Sequence, residues 1–155
     1  MANYSESFLA LQWLISVLKA DTTLASLAPG GVYREMIPQS TTPTPYVIIG
    51  QQTGSDVLTF NAFRIFDGFL FRIEAHGPAA QADTIAQAAA QVDKILGGPP
   101  GLPVTQTIIV GGVTEGIVLA CFREMPLTLD EIINTTEQWS RFGGLYRLLV
   151  QQKAT

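Results

Sequence analysis

The segment from Ile65 to Leu96 constrains the fold more than any other part of the chain. Across Ile65–His76, the residues Phe69, Phe71, Ile73 and Ala75 alternate with Leu70, Arg72 and Glu74. That two-residue period puts successive side chains on opposite faces of a strand. Gly77-Pro78 ends the run. The stretch Ala79–Leu96 then carries Ile85, Ala89, Val92 and Leu96 at helical spacing, with Ala82, Ala86 and Ile95 beside them. Alanine is the best helix former, and its small side chain lets a helix lie close to a sheet. A strand and a helix that follow one another, each with an apolar stripe, must bury those stripes in a layered core.

Similar reasoning covers the rest of the chain. Phe8, Leu11, Leu14, Ile15 and Leu18, widened by Leu9 and Val17, predict a leading helix that an Asn3…Glu6 pair can cap. Asp21 can cap a second, short turn over Thr22–Ala28, which Pro29-Gly30-Gly31 ends. Val32–Glu35 reads as a short strand, residues 36–45 as a proline- and threonine-rich extended loop, and Tyr46–Gln52 as a strand with a β-branched centre. Residues 53–64 read as a connection. Gly54-Ser55-Asp56 is a turn signal there, yet Val57, Leu58, Phe60 and Phe63 are too apolar for a free loop.

Three strands follow the second helix, at about Val104–Val110, Gly116–Glu124 and Trp139–Gln151. Gly111-Gly112 is a hairpin signal between the first two. Pro126–Gln138 reads as a long connection in which Leu127, Leu129, Ile132 and Ile133 sit beside Asp130, Glu131 and Glu137. Long structured connections are often binding elements. The expected class is α+β: a largely antiparallel sheet of about five to six strands flanked by two helices, in the order helix-strand-strand-strand-helix-strand-strand-strand.

A chain of 155 residues is expected to form one domain, burying roughly 70% of the surface its unfolded form exposes. Charged residues make up 14% of it, against roughly 25% in typical soluble domains. Mean hydropathy is +0.27. Thr, Gln, Ser and Gly therefore clothe the surface, and such uncharged groups cost less to desolvate against a neighbour. That favours a self-associating subunit, the alternative being simply a neutral surface on a small core-rich protein. A net charge of −4 argues against gripping DNA, which calls for a basic face. Met1–Ser7 is polar without a basic leader, so no signal peptide is expected. The apolar runs are too short to cross a bilayer, so no membrane partner is expected.

Chemistry-bearing residues are sparse. His76 is the one histidine, and a lone histidine builds no metal site without thiol or carboxylate partners at suitable spacing. It reads as a surface or packing residue. Cys121, the one cysteine, lies in the apolar run Ile117–Phe122, the opposite of the electropositive setting a reactive thiolate needs. No Gly-x-Ser-x-Gly elbow is present. Gly111–Gly116 lacks the spacing of a dinucleotide loop, and Gly97–Gly101 lacks the Lys-Ser/Thr ending of a phosphate loop. The expectation is no catalytic residue, no metal and no cofactor. Arg34, Arg64, Arg72, Arg123, Arg141 and Arg147 are scattered, mostly on predicted strands, where each is a solvent-face residue or an ion-pair donor. Trp139, Phe142 and Tyr146 read as core or interface.

The order of short motifs is more specific. Leu18-Lys19-Ala20-Asp21 after the leading helix, Val32-Tyr33, Pro38-Gln39, Pro45-Tyr46-Val47-Ile48, the strand Phe69–Ala75 with its Ala-rich helix, and a last strand carrying Tyr146-Arg147 span roughly residues 8–151. In this order they resemble the tail-completion or tail-terminator family of long-tailed bacteriophages and gene-transfer particles. The resemblance implies a structural virion protein made in the bacterial cytoplasm and placed at the tail–neck junction. Such subunits assemble with themselves into a ring, a hexamer, at the head-proximal end of the tail tube. They end tube polymerisation and present the head-joining face, and they perform no covalent chemistry. The implied partners are the tail tube protein and the connector or stopper protein, with DNA passing through the lumen ungripped. A ring needs two different contact patches on each subunit. Val57, Leu58, Phe60, Phe63, Leu129, Ile132 and Ile133 are the candidates for ring or tube contacts, and Asp130, Glu131 and Glu137 for an acidic lumen lining. The alternatives are a head-completion or connector-stopper protein and, in another class, a small cytoplasmic α+β enzyme or ligand-binding dimer built around a polar pocket.

Overall fold

Ser5 starts the first helix. Its hydroxyl accepts from the Phe8 N–H at 3.4 Å, and helix α1 runs over Glu6–Ala20 with Glu6 in its first turn and Lys19 in its last, matching the helix dipole. The computed structural model describes residues 4–37, 44–58, 64–97, 106–132 and 138–153. The expected cap Asn3 lies outside them. Helix α2, Thr22–Leu27, begins on Asp21, whose Oδ1 accepts from Leu24 N–H at 2.7 Å. The same carboxylate accepts from Gln91 Nε2 at 3.1 and 3.2 Å, so the cap also ties α2 to helix α3, Ala82–Ile95. A 3-10 turn over Ala79–Gln81 leads into α3.

Six strands form one sheet: β1 Val32–Arg34, β2 Tyr46–Leu58, β3 Arg64–Pro78, β4 Gln106–Val110, β5 Val113–Ile132 and β6 Gln138–Gln152. Their order is β1-β2-β3-β6-β5-β4. β1 is parallel to β2, and every other neighbouring pair is antiparallel. The class is the expected α+β, with the expected element order. Both main helices lie on the same face of the sheet.

That face holds the core. Val47 and Ile49 of β2, Phe69, Phe71, Ile73 and Ala75 of β3, Tyr146, Leu148 and Val150 of β6, and Val118 and Cys121 of β5 pack beneath Leu9, Leu14 and Leu18 of α1 and Ile85, Ala88 and Val92 of α3. Each fully buried Leu, Ile or Phe contributes roughly 1.5–3 kcal/mol. The α1 stripe is shifted from the expected one: Leu9 and Trp13 are core, while Phe8, Ile15 and Val17 are only partly buried. β3 and β6 approach closely at Gly143, where a Cβ would run into the Ile73 carbonyl and Glu74. Gly111 and Gly112, at φ 58° and 83°, make the β4–β5 turn in the left-handed region that glycine tolerates.

Two expected connections are strand. Residues 53–58 belong to β2, not to a loop: Thr53 pairs with Leu70, Asp56 with Asp67, and Leu58 with Arg64. Irregular register at Gln51/Thr53 and Val57/Leu58 absorbs the turn-prone residues. Likewise β5 does not stop at Glu124. It runs through Pro126 to Ile132, with Leu127 opposite Gly143, Leu129 opposite Arg141 and Ile132 opposite Gln138. A bulge at Arg123/Met125 precedes the proline, a setting where a missing strand N–H is tolerated.

Candidate assembly surface

The sheet face away from the helices divides into two parts. At the β5 side, Phe122, Met125 and Leu129 are exposed, with Met125 53% and Leu129 50% accessible. Their register partners on β6 are Arg147, Leu145 and Arg141, and Ala120 lies opposite Leu149. The long side chain of Arg147 is held by Glu124, Nε to Oε1 at 2.7 Å and Nη2 to Oε2 at 3.3 Å. This two-pronged pair leaves apolar strand surface on either side of it. Ile109 of β4, 62% accessible, continues the exposed apolar surface toward the hairpin, while Val113 of β5, 54% accessible, pairs with the core-packed Val110 on the other face.

The β2 side is polar and closed. Tyr46 stacks on His76 with ring centroids 5.4 Å apart, and Trp139 leans on Tyr46 at 6.0 Å. Glu74 is buried beneath them. Its Oε2 lies 3.2 Å from Arg72 Nε and 3.4 Å from His76 Nε2, within ion-pair reach but off hydrogen-bond alignment. Burial opposes ionisation of Glu74, yet His76, Arg72 and Arg141 outweigh it and hold the carboxyl below its ordinary value. Burial raises the Tyr46 phenol.

On the covered face, Asp93 of α3 accepts from the Tyr146 hydroxyl at 3.3 Å and pairs with Arg123 Nη1 at 3.1 Å. Burial, then Asp93, pushes the Tyr146 phenol up. Burial also pushes the Cys121 thiol up to about 12, so it stays a protonated core group. A groove of about 310 Å³ between α1, α2 and β1 is lined by Leu18, Leu24, Ala28 and Val32, with Lys19 at its side. Aliphatic walls of that kind offer no convergent polar groups to a substrate. Among the described residues no group of three or more His, Cys, Asp or Glu side chains is placed to hold a metal ion. No described helix is long and apolar enough to cross a membrane.

The candidate contact residues fall as follows. Leu129 is exposed on β5. Val57 and Leu58 occupy β2 positions opposite Phe66 and Arg64, and Ile132 a β5 position opposite Gln138. Phe60, Phe63 and Ile133 lie outside the described residues, as does Glu137. Of the acids, Asp130 is exposed and accepts from Ser140 Oγ at 2.8 Å, while Glu131 takes the next position, opposite Trp139. Sequence reasoning missed Met36, Phe122 and Met125 as exposed apolar residues. The alternation of Met125, Leu127 and Leu129 across Pro126 is a signal that the strand continues.

The fold can now be set beside known structures. A chain in the virion of a native gene transfer agent particle superposes with a TM-score of 0.69 at 20% identity, covering 97% of this chain and 100% of that one. The two chains share one fold over their whole lengths. Bacteriophage SPP1 gp17 protein is a more distant match, with a TM-score of 0.38 at 17% identity over 88% of this chain and 89% of that one. No protein-family profile and no curated protein matches the sequence.

Proposed function

We propose that this chain is the subunit of a ring that caps the head-proximal end of a phage-type tail tube. The ring stops tube growth and gives the neck its docking face. The observation that carries this reading is a fold shared end to end with a chain of a gene transfer agent virion. The motif order of tail-completion proteins and the exposed apolar strand surface around Phe122, Met125 and Leu129 support it. In this reading the work is done by shape and apolar contact, and no bond is made or broken.

The partners are other copies of the chain, forming a hexamer, together with the tail tube protein and the connector or stopper protein. Val57, Leu58, Phe60 and Phe63, together with Leu129, Ile132 and Ile133, make the ring and tube contacts. Asp130, Glu131 and Glu137 line the lumen and hold DNA off by like-charge repulsion.

Electron microscopy of particles lacking the protein is the direct test. Tails of uncontrolled length that fail to join heads are expected, and normal tails joined to heads would overturn the reading. Binding of the purified chain to DNA-filled heads but not to tube ends would replace it with a head-completion role. A variant carrying Phe63→Asp and Ile132→Asp is expected to stay folded and to lose tail capping. If it unfolds instead, those side chains are core.

A further inference from the structure

Both outermost strands of the sheet are short, and they cover opposite ends of its margins. β1 meets β2 only at Val47–Ile49. Followed across the sheet, its rows run Arg34–Ile49–Ile73–Gly144–Pro126 and Val32–Val47–Ala75–Phe142–Thr128. β4 meets β5 only over Val113–Val118, and the Gln106 row runs Gln106–Val118–Val150–Asp67–Asp56. Among the described residues, no strand covers the outer edge of β2 from Gly50 to Leu58, or that of β5 from Leu119 to Ile132.

One margin therefore steps outward at β1 and recedes along upper β2. The other steps outward at β4 and recedes along lower β5. The two steps are complementary. When a second copy is set alongside at the same height, its β1 falls against the bare part of β5. The first copy's β4 then falls against the bare part of the second copy's β2. The directions also agree. Counting through the sheet, β1, β2, β6 and β4 run one way and β3 and β5 the other. Hence β1 and the neighbour's β4 run in the same direction and share one strand position, one low and one high, between β5 and β2.

We infer that copies of this chain join head to tail through these stepped sheet margins, so that β1 of one copy and β4 of the next fill a single strand position. The inference rests on the ring reading above and names its contact. The two margins differ, so the contact is heterologous and repeats into a closed ring when the rotation closes. Chemistry along the margins fits. The bare part of β5 carries Glu124, Asp130 and Glu131 beside one base, Arg123; within the subunit Glu124 pairs with Arg147 and Arg123 with Asp93, which leaves the stretch net acidic. The facing margin carries the exposed Arg34 and, at the end of α1, Lys19, with Glu35 as an acid among them. Opposite charges across such a contact set its register.

Two exposed methionines meet there as well. Glu35 adopts a left-handed φ of 62°, its N–H donates to the Ile49 carbonyl, and the next residue, Met36, is 78% accessible. Met125 lies in the row Met125–Leu145–Arg72–Gly50, one step above Ile49. The lap brings Met36 of one copy to within a residue or two of Met125 of the next. Isolated proteins usually blunt bare strand edges with lysine, proline or inward charge. The β2 edge from Gly50 to Leu58 has one charged residue, Asp56, and no lysine or proline, though its register is irregular at Gln51/Thr53 and Val57/Leu58; the bare part of β5 carries Pro126 just after a bulge.

The test is cysteine cross-linking at these two accessible sites. Met36→Cys chain and Met125→Cys chain are mixed, at high concentration and separately on tail tubes from particles that lack the protein, then treated with a short bis-maleimide. The unsubstituted chain, whose Cys121 is buried, is the control. A cross-linked dimer is expected from the mixture and not from either variant alone. The double variant is expected to give a ladder that ends in a closed species. If microscopy shows rings while the mixture gives no dimer, or each variant links to itself, the stepped contact is wrong and the ring reading stands. A link to the tube protein in place of a second copy also overturns the contact. If the chain assembles neither alone nor on tubes, the ring reading fails and this inference falls with it.

Discussion

The two faces of the one sheet are built from the same strands and have opposite characters. Along β3, Phe69, Phe71, Ile73 and Ala75 are sealed under helices, while the intervening Arg72, Glu74 and His76 form a charged and aromatic cluster. Along β5, Val118 and Cys121 are fully buried, while Phe122, Met125 and Leu129 stand in solvent. The helix-covered face has spent its apolar surface on internal packing. The other face keeps some of it, beside a polar cluster that is already satisfied electrostatically. The packing that stabilises the fold is thereby concentrated on one side of a single layer.

Four substitutions test that division, from the largest expected effect on stability to the smallest. Phe71→Ala opens a cavity under the helices and should cost about 3–5 kcal/mol in urea unfolding. A loss below about 1 kcal/mol would mean that the covered face is not the main source of stability. Tyr146→Phe removes the hydrogen bond to Asp93 and should cost about 1 kcal/mol at neutral pH. It should also flatten the alkaline limb of the stability profile. The folded Tyr146 pKa is raised, so its contribution is complete below the unfolded value of about 10 and is lost as pH climbs through the folded value.

Glu74→Gln addresses the opposite face. The folded Glu74 pKa is lowered, so its stabilisation is present above the unfolded value of about 4.3 and is lost as pH falls through the folded one. The variant should lose part of the acid limb in thermal melts between those values, and an unchanged acid limb would show that the cluster adds nothing there. Leu129→Asp should shift stability by no more than about 0.5 kcal/mol, as exposed positions do, while tail capping is lost. Equal damage from Leu129→Asp and Phe71→Ala would erase the distinction between the faces.

Much of the architecture was legible in the residues. The alternation through Phe69–Ala75 and the stripe Ile85–Val92 fixed a strand and helix that pack as expected, and Gly111-Gly112 marked the right hairpin. Cys121 reads as core and is core. The misreadings share a cause. Gly54-Ser55-Asp56 and Pro126 carry loop chemistry, and local chemistry outweighed pairing that a partner strand supplies from far along the chain: Leu70 for Thr53, Gly143 for Leu127. The α1 stripe was drawn for one contact. The helix packs over the sheet and beside the other helices, so Trp13 is buried too. The candidate contact residues were legible only as apolar groups outside the expected strands. Whether such a residue is exposed depends on which face its strand turns outward, and a shift of one residue reverses that.

Cys121 gives the molecule a built-in gauge. Its sulfhydryl is fully enclosed and held protonated to about 12, so a colorimetric thiol reagent at neutral pH has nothing to modify while the chain is folded. The rate at which colour develops therefore follows how often the structure around Cys121 opens, locally or globally. Samples can be ranked for kinetic durability with one reagent, without attaching a label.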